Sequence, residues 1–214
     1  MSGETGLRER KKQRMYRTIS ETAISLFLQR GFDEVSVADV AAAAEVSKPT
    51  LFRYFASKED LALHRFADHE DEAARVVRGR TAGETPLEAL RCHFLDGLDR
   101  HDPVTGLNDD AEVLAFHRLL YGTPSLVARL FAYTGRSEDA LAAALAEAAE
   151  EKEGPDDITA RIAAGQIIAV QRILAQENWR RVEAGATAWG VHPDAVTAAE
   201  RAFTMLRSGL APYA

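Results

Sequence analysis

The sequence predicts an all-α protein with a small N-terminal and a larger C-terminal helical domain, and three observations carry that expectation. Aromatic residues fill only 7% of the 214 positions while Ala, Leu, Glu and Arg dominate, a balance that favours helices packed through small side chains over sheets. Apolar residues recur at helical spacing through most of the chain, and no β-hairpin signal occurs anywhere. With 46% apolar residues the chain is able to bury a core and is not dominated by disorder.

The elements follow in order. Ile19, Ala23, Leu26 and Phe27 place one apolar stripe on a helix that begins in the basic run near Arg8 and is stopped by Gly31. Ser36 caps a second, two-turn helix, with Asp39 completing a capping-box pattern and Val37, Val40 and Ala41 repeating the spacing. Ser47, with Pro49 in the first turn, opens a third short helix through Leu51, Phe52 and Phe55. Ser57 then caps a fourth, read as continuous to about Arg78 and opened by the acidic pair Glu59 and Asp60. Thr85 and Pro86 start the next, which runs to about Arg100. Further helices are expected at about 108–121, 124–134 continuing or restarting through 136–152, 156–184 and 193–209. The expected domains are 8–57 and 58–214.

Charge is divided unevenly. The chain carries a net −7, but residues 1–65 hold eleven Lys/Arg against nine Asp/Glu, so the base-rich end is the N-terminus. One cysteine, Cys92, excludes an intramolecular disulfide, and no Cys/His spacing suits a metal, so neither a metal nor a cofactor is expected. The N-terminus lacks a signal-peptide core, and the longest apolar run, Ala163 to Val170, is broken by Gly165 and Gln166; these features suit a reducing cytoplasm and no membrane partner. No phosphate loop, nucleophile elbow or paired metal motif speaks for an enzyme.

Two short helices joined by a tight turn and preceded by a longer one follow the helix-turn-helix plan, in which the second short helix enters the DNA major groove. Spacing alone leaves a bland three-helix packing unit equally open. The literal residues add more: Val37-Ala38-Asp39-Val40-Ala41, then Val46 through Phe55, then Ser57-Lys58-Glu59-Asp60-Leu61 closely resemble the DNA-binding domain of the tetracycline-repressor (TetR) family over residues 10–61. That resemblance implies a homodimeric, ligand-responsive transcriptional regulator, read as a repressor, that binds an inverted-repeat operator. The competing reading is a helical interaction module without ligand-gated DNA binding. One departure is Glu45, which holds a turn position usually given to glycine.

Carried over position by position, the resemblance makes Pro49, Thr50 and Phe52 groove-facing, Arg53 a base reader, and Tyr54 and Lys58 phosphate contacts. Ser36 and Val37 at the start of the second helix, with Ser47 and Lys48 at the start of the third, complete the expected DNA set. The basic run Arg8, Arg10, Lys11, Lys12, Arg14 and Arg17 suits phosphate or minor-groove contact, or simply a solvated face. For an effector of unknown identity, small and apolar or amphipathic, the candidates are Phe94, Phe116, His117 and Leu120, together with Tyr121, Phe131, Tyr133 and Gln166, each of which also suits plain core. For the dimer the candidates are Ile162, Gly165, Ala169 and Ile173 on one helix and Val196, Ala199, Phe203 and Leu206 on the last, where core packing is again the alternative.

Overall fold

The computed structural model describes residues 2–67, 69–150, 157–210 and 213, with side chains described from Arg10 onward except at 67, 150 and 157. Among the described residues there are ten α-helices, one 3₁₀ turn and no strand. The helices are α1 (Ser2–Arg30), α2 (Val37–Ala43), α3 (Lys48–Tyr54), α4 (Lys58–Ala67), α5 (Glu72–Arg78), α6 (Pro86–Asp99), α7 (Ala111–Gly122), α8 (Pro124–Glu150), α9 (Asp157–Glu183) and α10 (Ala188–Gly209); the 3₁₀ turn is Pro103–Thr105. The chain forms two compact units, Met1–Asp68 with Ala115–Ala132, and His69–Leu114 with Tyr133–Ala214. The expected boundary between residues 57 and 58 falls inside the first of these.

In the first unit α1 packs on α2 and α4, and α3 packs on α2. The stripe read from the sequence is the core: Ile19, Ala23, Ile24 and Phe27 are buried together with Val40, Ala41, Leu51, Phe55 and Leu61. Gly31 ends α1 with φ at 90°, its amide donating to the Phe27 carbonyl, and Phe32 folds back so that its ring lies 4.9 Å from that of Phe27. Ser20 adds a buried polar link, its hydroxyl donating to the Leu61 carbonyl of α4 at 2.8 Å. Asp60, 6% exposed, is held by Arg129 of α8 through two hydrogen bonds of 2.7 and 3.1 Å. That bidentate geometry satisfies a carboxylate which would otherwise be costly to bury.

The single helix expected from Ser57 to Arg78 is in fact two, α4 and α5. The reason lies in the acidic cluster Asp68, Glu70, Asp71 and Glu72. Carboxylates this dense repel one another inside a helix but are favoured in its first turn, so the chain restarts there. Asp71 accepts from Arg75 at 3.0 Å, and Glu72 accepts from the imidazoles of both His69 and His93 at 2.6 and 3.0 Å. Those two hydrogen bonds hold the Glu72 carboxyl well below the usual carboxylate range.

In the second unit α10 packs on α6 and α9, and α5 packs on α6. Leu90, Phe94 and Leu98 of α6 meet a core that includes Ala160, Ala163, Ala164 and Ile167 of α9 and Ala195, Ala199, Phe203 and Leu206 of α10. α8 runs without a restart through Gly135, and α10 begins five residues before Pro193 because Thr187 caps it and Asp109 accepts from the Ala188 amide. By length and composition alone α9 is apolar enough to cross a membrane, with mean hydropathy 1.2 over the best window of Ile158–Glu183, so the broken run Ala163 to Val170 is part of a longer apolar stretch. The same helix contributes four buried residues to the core just named.

The 3₁₀ turn, which the sequence reading did not anticipate, is pressed against α9. The Asn178 amide donates to the Thr105 carbonyl at 2.9 Å, and Gly106, at φ 71°, lies so close that an added Cβ would stand 1.9 Å from the Ala175 carbonyl oxygen. We expect Gly106→Ala to destabilise the protein by about 3 kcal/mol or more, because backbone strain and a clash with main-chain atoms act together. Urea denaturation measures it, and a loss below about 1 kcal/mol would show that the turn moves aside.

Candidate nucleic-acid interface

The helix-turn-helix is assembled from two helices of seven residues each, α2 and α3, and its geometry depends on their caps. At the start of α2 the Ser36 hydroxyl accepts from the Asp39 amide at 3.1 Å while the Asp39 carboxylate accepts from the Ser36 amide at 2.8 Å, a reciprocal capping box. The Ser36 hydrogen bonds hold the Asp39 carboxyl below its ordinary range. At the start of α3 the Ser47 oxygen accepts from the Thr50 amide and shares a 2.8 Å hydrogen bond with the Thr50 hydroxyl. Ser36 and Ser47, expected at the DNA, are thus also the caps that hold the two helices in place.

Between them lies the turn. Glu45 adopts φ 53°, the left-handed backbone that glycine takes without cost. Its amide donates to the Ala42 carbonyl and the Val46 amide donates to the Ala41 carbonyl, the paired hydrogen bonds of a Schellman ending with glutamate in the glycine position. His101 occupies the equivalent place after α6, where its amide reaches Leu98 and that of Asp102 reaches Gly97.

α3 turns Leu51 into the core and leaves Lys48, Pro49, Phe52 and Arg53 exposed on its outer face, with Thr50 and Tyr54 half-buried. Phe52 is 53% exposed, an apolar ring set between two cations. Val37 is half-buried at the start of α2. Lys58 differs from the rest of the expected set. Its ammonium donates to the Phe32 carbonyl and lies 4.2 Å from the centre of the Phe32 ring, so its charged end is turned back onto the protein.

Ion pairs occur in both units, that of Arg129 with Asp60 being one in the first. In the second, Arg78 pairs with Glu147, Arg91 with Glu88 and Glu200, Arg136 with Glu70, and Arg181 with Asp194. Lys48 and Arg53 form no ion pair among the described residues. Charge left unmatched on one short helix is what binding to a polyanion requires.

The expected effector-site residues divide between the units: Phe116, His117, Leu120, Tyr121 and Phe131 lie in the first, and Phe94, Tyr133 and Gln166 in the second. Phe131 is 60% exposed and Gln166 is exposed, whereas Phe94, Phe116, His117, Leu120 and Tyr133 are buried and Tyr121 is half-buried. Burial pushes the His117 imidazole below its ordinary value. Of the expected dimer residues, Ile162 and Ile173 are exposed, Gly165, Ala169 and Val196 are half-buried, and Ala199, Phe203 and Leu206 are corrected to core. Their stripe faces α6 and α9 within the same unit, so it is not available to a second copy.

A capped pair of short helices joined by a tight turn, with an exposed outer face whose two cations form no ion pair among the described residues, has the architecture of a helix-turn-helix DNA-binding domain. Comparison with known proteins makes the class specific. Residues 19–64 match the family model for bacterial regulatory proteins, tetR family. The HTH-type transcriptional regulator TcmR of Streptomyces glaucescens is 34% identical over 183 residues, covering 83% of this chain and 79% of that protein. Among solved structures, GusR of Salmonella enterica superposes with a TM-score of 0.57 at 20% identity over 92% of this chain and 95% of its own. FadR of Thermus thermophilus, a repressor solved with lauroyl-CoA, gives 0.54 at 23% identity over 91% and 94%. The chain belongs to the tetR family of bacterial regulatory proteins.

Two outcomes follow from the geometry. Glu45→Gly relieves the left-handed backbone and should raise the unfolding free energy by about 0.5 to 1 kcal/mol in urea titration, against no gain if the turn holds no strain. For His117, the unfolded chain takes up a proton near pH 6.5 that the folded chain resists. Stability should therefore fall as pH drops below about 6.5, with a slope of up to about 1.4 kcal/mol per pH unit from this group. Melting temperatures across that range, compared between the wild type and His117→Leu, test it: the variant should show the shallower dependence.

Proposed function

We propose that the protein is a cytoplasmic, ligand-responsive repressor that binds an inverted-repeat operator as a homodimer. The observation that carries this reading is the outer face of α3, where Lys48, Pro49, Phe52 and Arg53 are exposed and the two cations form no ion pair among the described residues. In the major groove Lys48 and Arg53 suit the O6 and N7 acceptors of guanine, and the Phe52 ring suits a thymine methyl. Ser36, Val37, Ser47, Thr50 and Tyr54 flank the sugar-phosphate backbone, and Lys58 supports the Phe32 turn beneath the helices. The second copy is taken up on α9 and α10 through apolar side chains left in water: Ile162 and Ile173 are 52% and 56% exposed, Trp189 80% and Met205 75%. The effector is a small amphipathic molecule, a reading supported by the acyl-CoA found in the Thermus relative.

Selection of bound sequences from random duplexes tests the whole reading, with an inverted repeat as the expected consensus. Arg53→Ala should change which bases are recovered. Ile162→Glu should convert a dimer into a monomer by light scattering and weaken binding to the recovered site by at least about a hundredfold, since the two half-sites no longer act together. Recovery of no preferred sequence, or a wild-type monomer that DNA does not assemble, would sink it.

A further inference from the structure

Tyr16 stands at a junction that the DNA-contact set does not include. Its ring meets that of Tyr54 edge-on at 4.8 Å and that of Phe55 edge-on at 5.3 Å, and it stacks on the His64 imidazole at 5.2 Å with the planes 23° apart. Phe55 and His64 close the cluster at 5.5 Å. One side chain of α1 thereby grips the last turn of α3 and the middle of α4. Edge-to-face geometry is directional, so the Tyr54 ring is held in a set orientation. One helical turn earlier on α1, the Lys12 ammonium lies 5.8 Å from the centre of the same Tyr16 ring, within reach of a cation–π attraction. Lys12 is exposed, and it forms no ion pair among the described residues.

We propose that Tyr16 is a positioning residue that joins Lys12 of α1 and Tyr54 of α3 into one phosphate grip at the C-terminal end of the reading helix. The tyrosine ring does two things at once. It aims the Tyr54 phenol outward as a neutral donor, and it draws the Lys12 charge to the same edge, where a backbone phosphate is bound by both. A phenol alone fixes position with little electrostatic gain, whereas a charge alone gives affinity without register; the shared ring supplies both to one site. The inference rests on the DNA-binding reading and names a contact beyond the reading helix itself. It also separates Lys12 from its neighbours in the basic run. Lys11, one residue away and exposed, lies about 100° round the helix and has no such anchor.

The test measures binding against salt on two duplexes, one recovered by random-sequence selection and one unrelated, with the full-length chain. Lys12→Ala should reduce the slope of log affinity against log salt by about 0.9, the release expected for one phosphate contact, and should do so equally on both duplexes. Lys11→Ala should reduce the slope by less than Lys12→Ala does, and its effect should be unaltered when Tyr16→Leu is added. Tyr16→Leu, which keeps the apolar bulk, should lower the slope by the same amount as Lys12→Ala. The double variant of Lys12→Ala with Tyr16→Leu should then have the slope of either single one. Tyr16→Phe should behave as wild type, because the ring and not its hydroxyl makes these contacts.

A purely structural Tyr16 would weaken binding and melting temperature together and leave the slope alone, and that result overturns the proposal. So does an unchanged slope for Lys12→Ala, or an equal effect of Lys11→Ala. If the wild type binds neither duplex, the DNA-binding reading falls first and this inference with it. Wild-type binding with an insensitive Lys12 leaves that reading standing and removes only the grip. Should Tyr16→Leu fail to fold, the comparison of Lys12→Ala with Lys11→Ala still decides.

Discussion

Helices of seven residues have almost no stability of their own in water, and the reading head is made of two of them. Everything else in the first unit can be understood as the means of holding α2 and α3 still. α1 and α4 bury the faces of the short helices; the capping box, the Ser47 cap and the Schellman turn satisfy amides and carbonyls that the short helices leave open; and the aromatic cluster around Tyr16 fastens the last turn. The ion pair between Asp60 and Arg129 extends the same logic to α8, since a buried carboxylate with two hydrogen bonds admits little slack. Rigidity of this sort suits recognition, because a helix that must find base edges within a groove loses affinity for every degree of freedom it has to surrender.

Local chemistry made much of this head legible beforehand. Ser36 with Asp39, Ser47 with Pro49, and Gly31 followed by Phe32 each announce a helix end within four residues, and the structure places an end at each. The resemblance to a known family supplied which face of α3 to examine, something periodicity alone left open. Features built from distant residues were not legible. The hydrogen bond from His93 to Glu72 spans twenty-one positions, and the approach of Gly106 to Ala175 depends on how the 3₁₀ turn meets α9. The stripe on α10 was visible, but which partner it faced was not, because an apolar face reads the same whether it meets its own chain or another. Lys58 shows a similar limit: sequence shows a cation near a helix start and cannot show that its ammonium meets a carbonyl and two rings.

An acidic protein that binds a polyanion poses a question of placement more than of total charge. The net −7 is concentrated away from the reading head, and in the second unit arginines are spent on carboxylates of their own chain. Screening makes this workable, since exposed charges more than about 8 Å apart are largely hidden from one another at physiological salt. A diffuse negative charge of this kind also limits non-specific attachment to nucleic acid, leaving affinity to the few cations that reach it.

The exposure of Trp189 has a consequence for observation. The chain contains two tryptophans, and their surroundings are opposed: the indole of Trp179 has its nitrogen buried, whereas Trp189 at the start of α10 is 80% exposed. An indole in water emits at longer wavelength and is open to collisional quenchers such as iodide, while one enclosed by protein is blue-shifted and shielded. The molecule therefore carries a built-in optical reporter on the edge of its last helix, and dilution of the native chain will show by colour alone whether that edge is wet or covered.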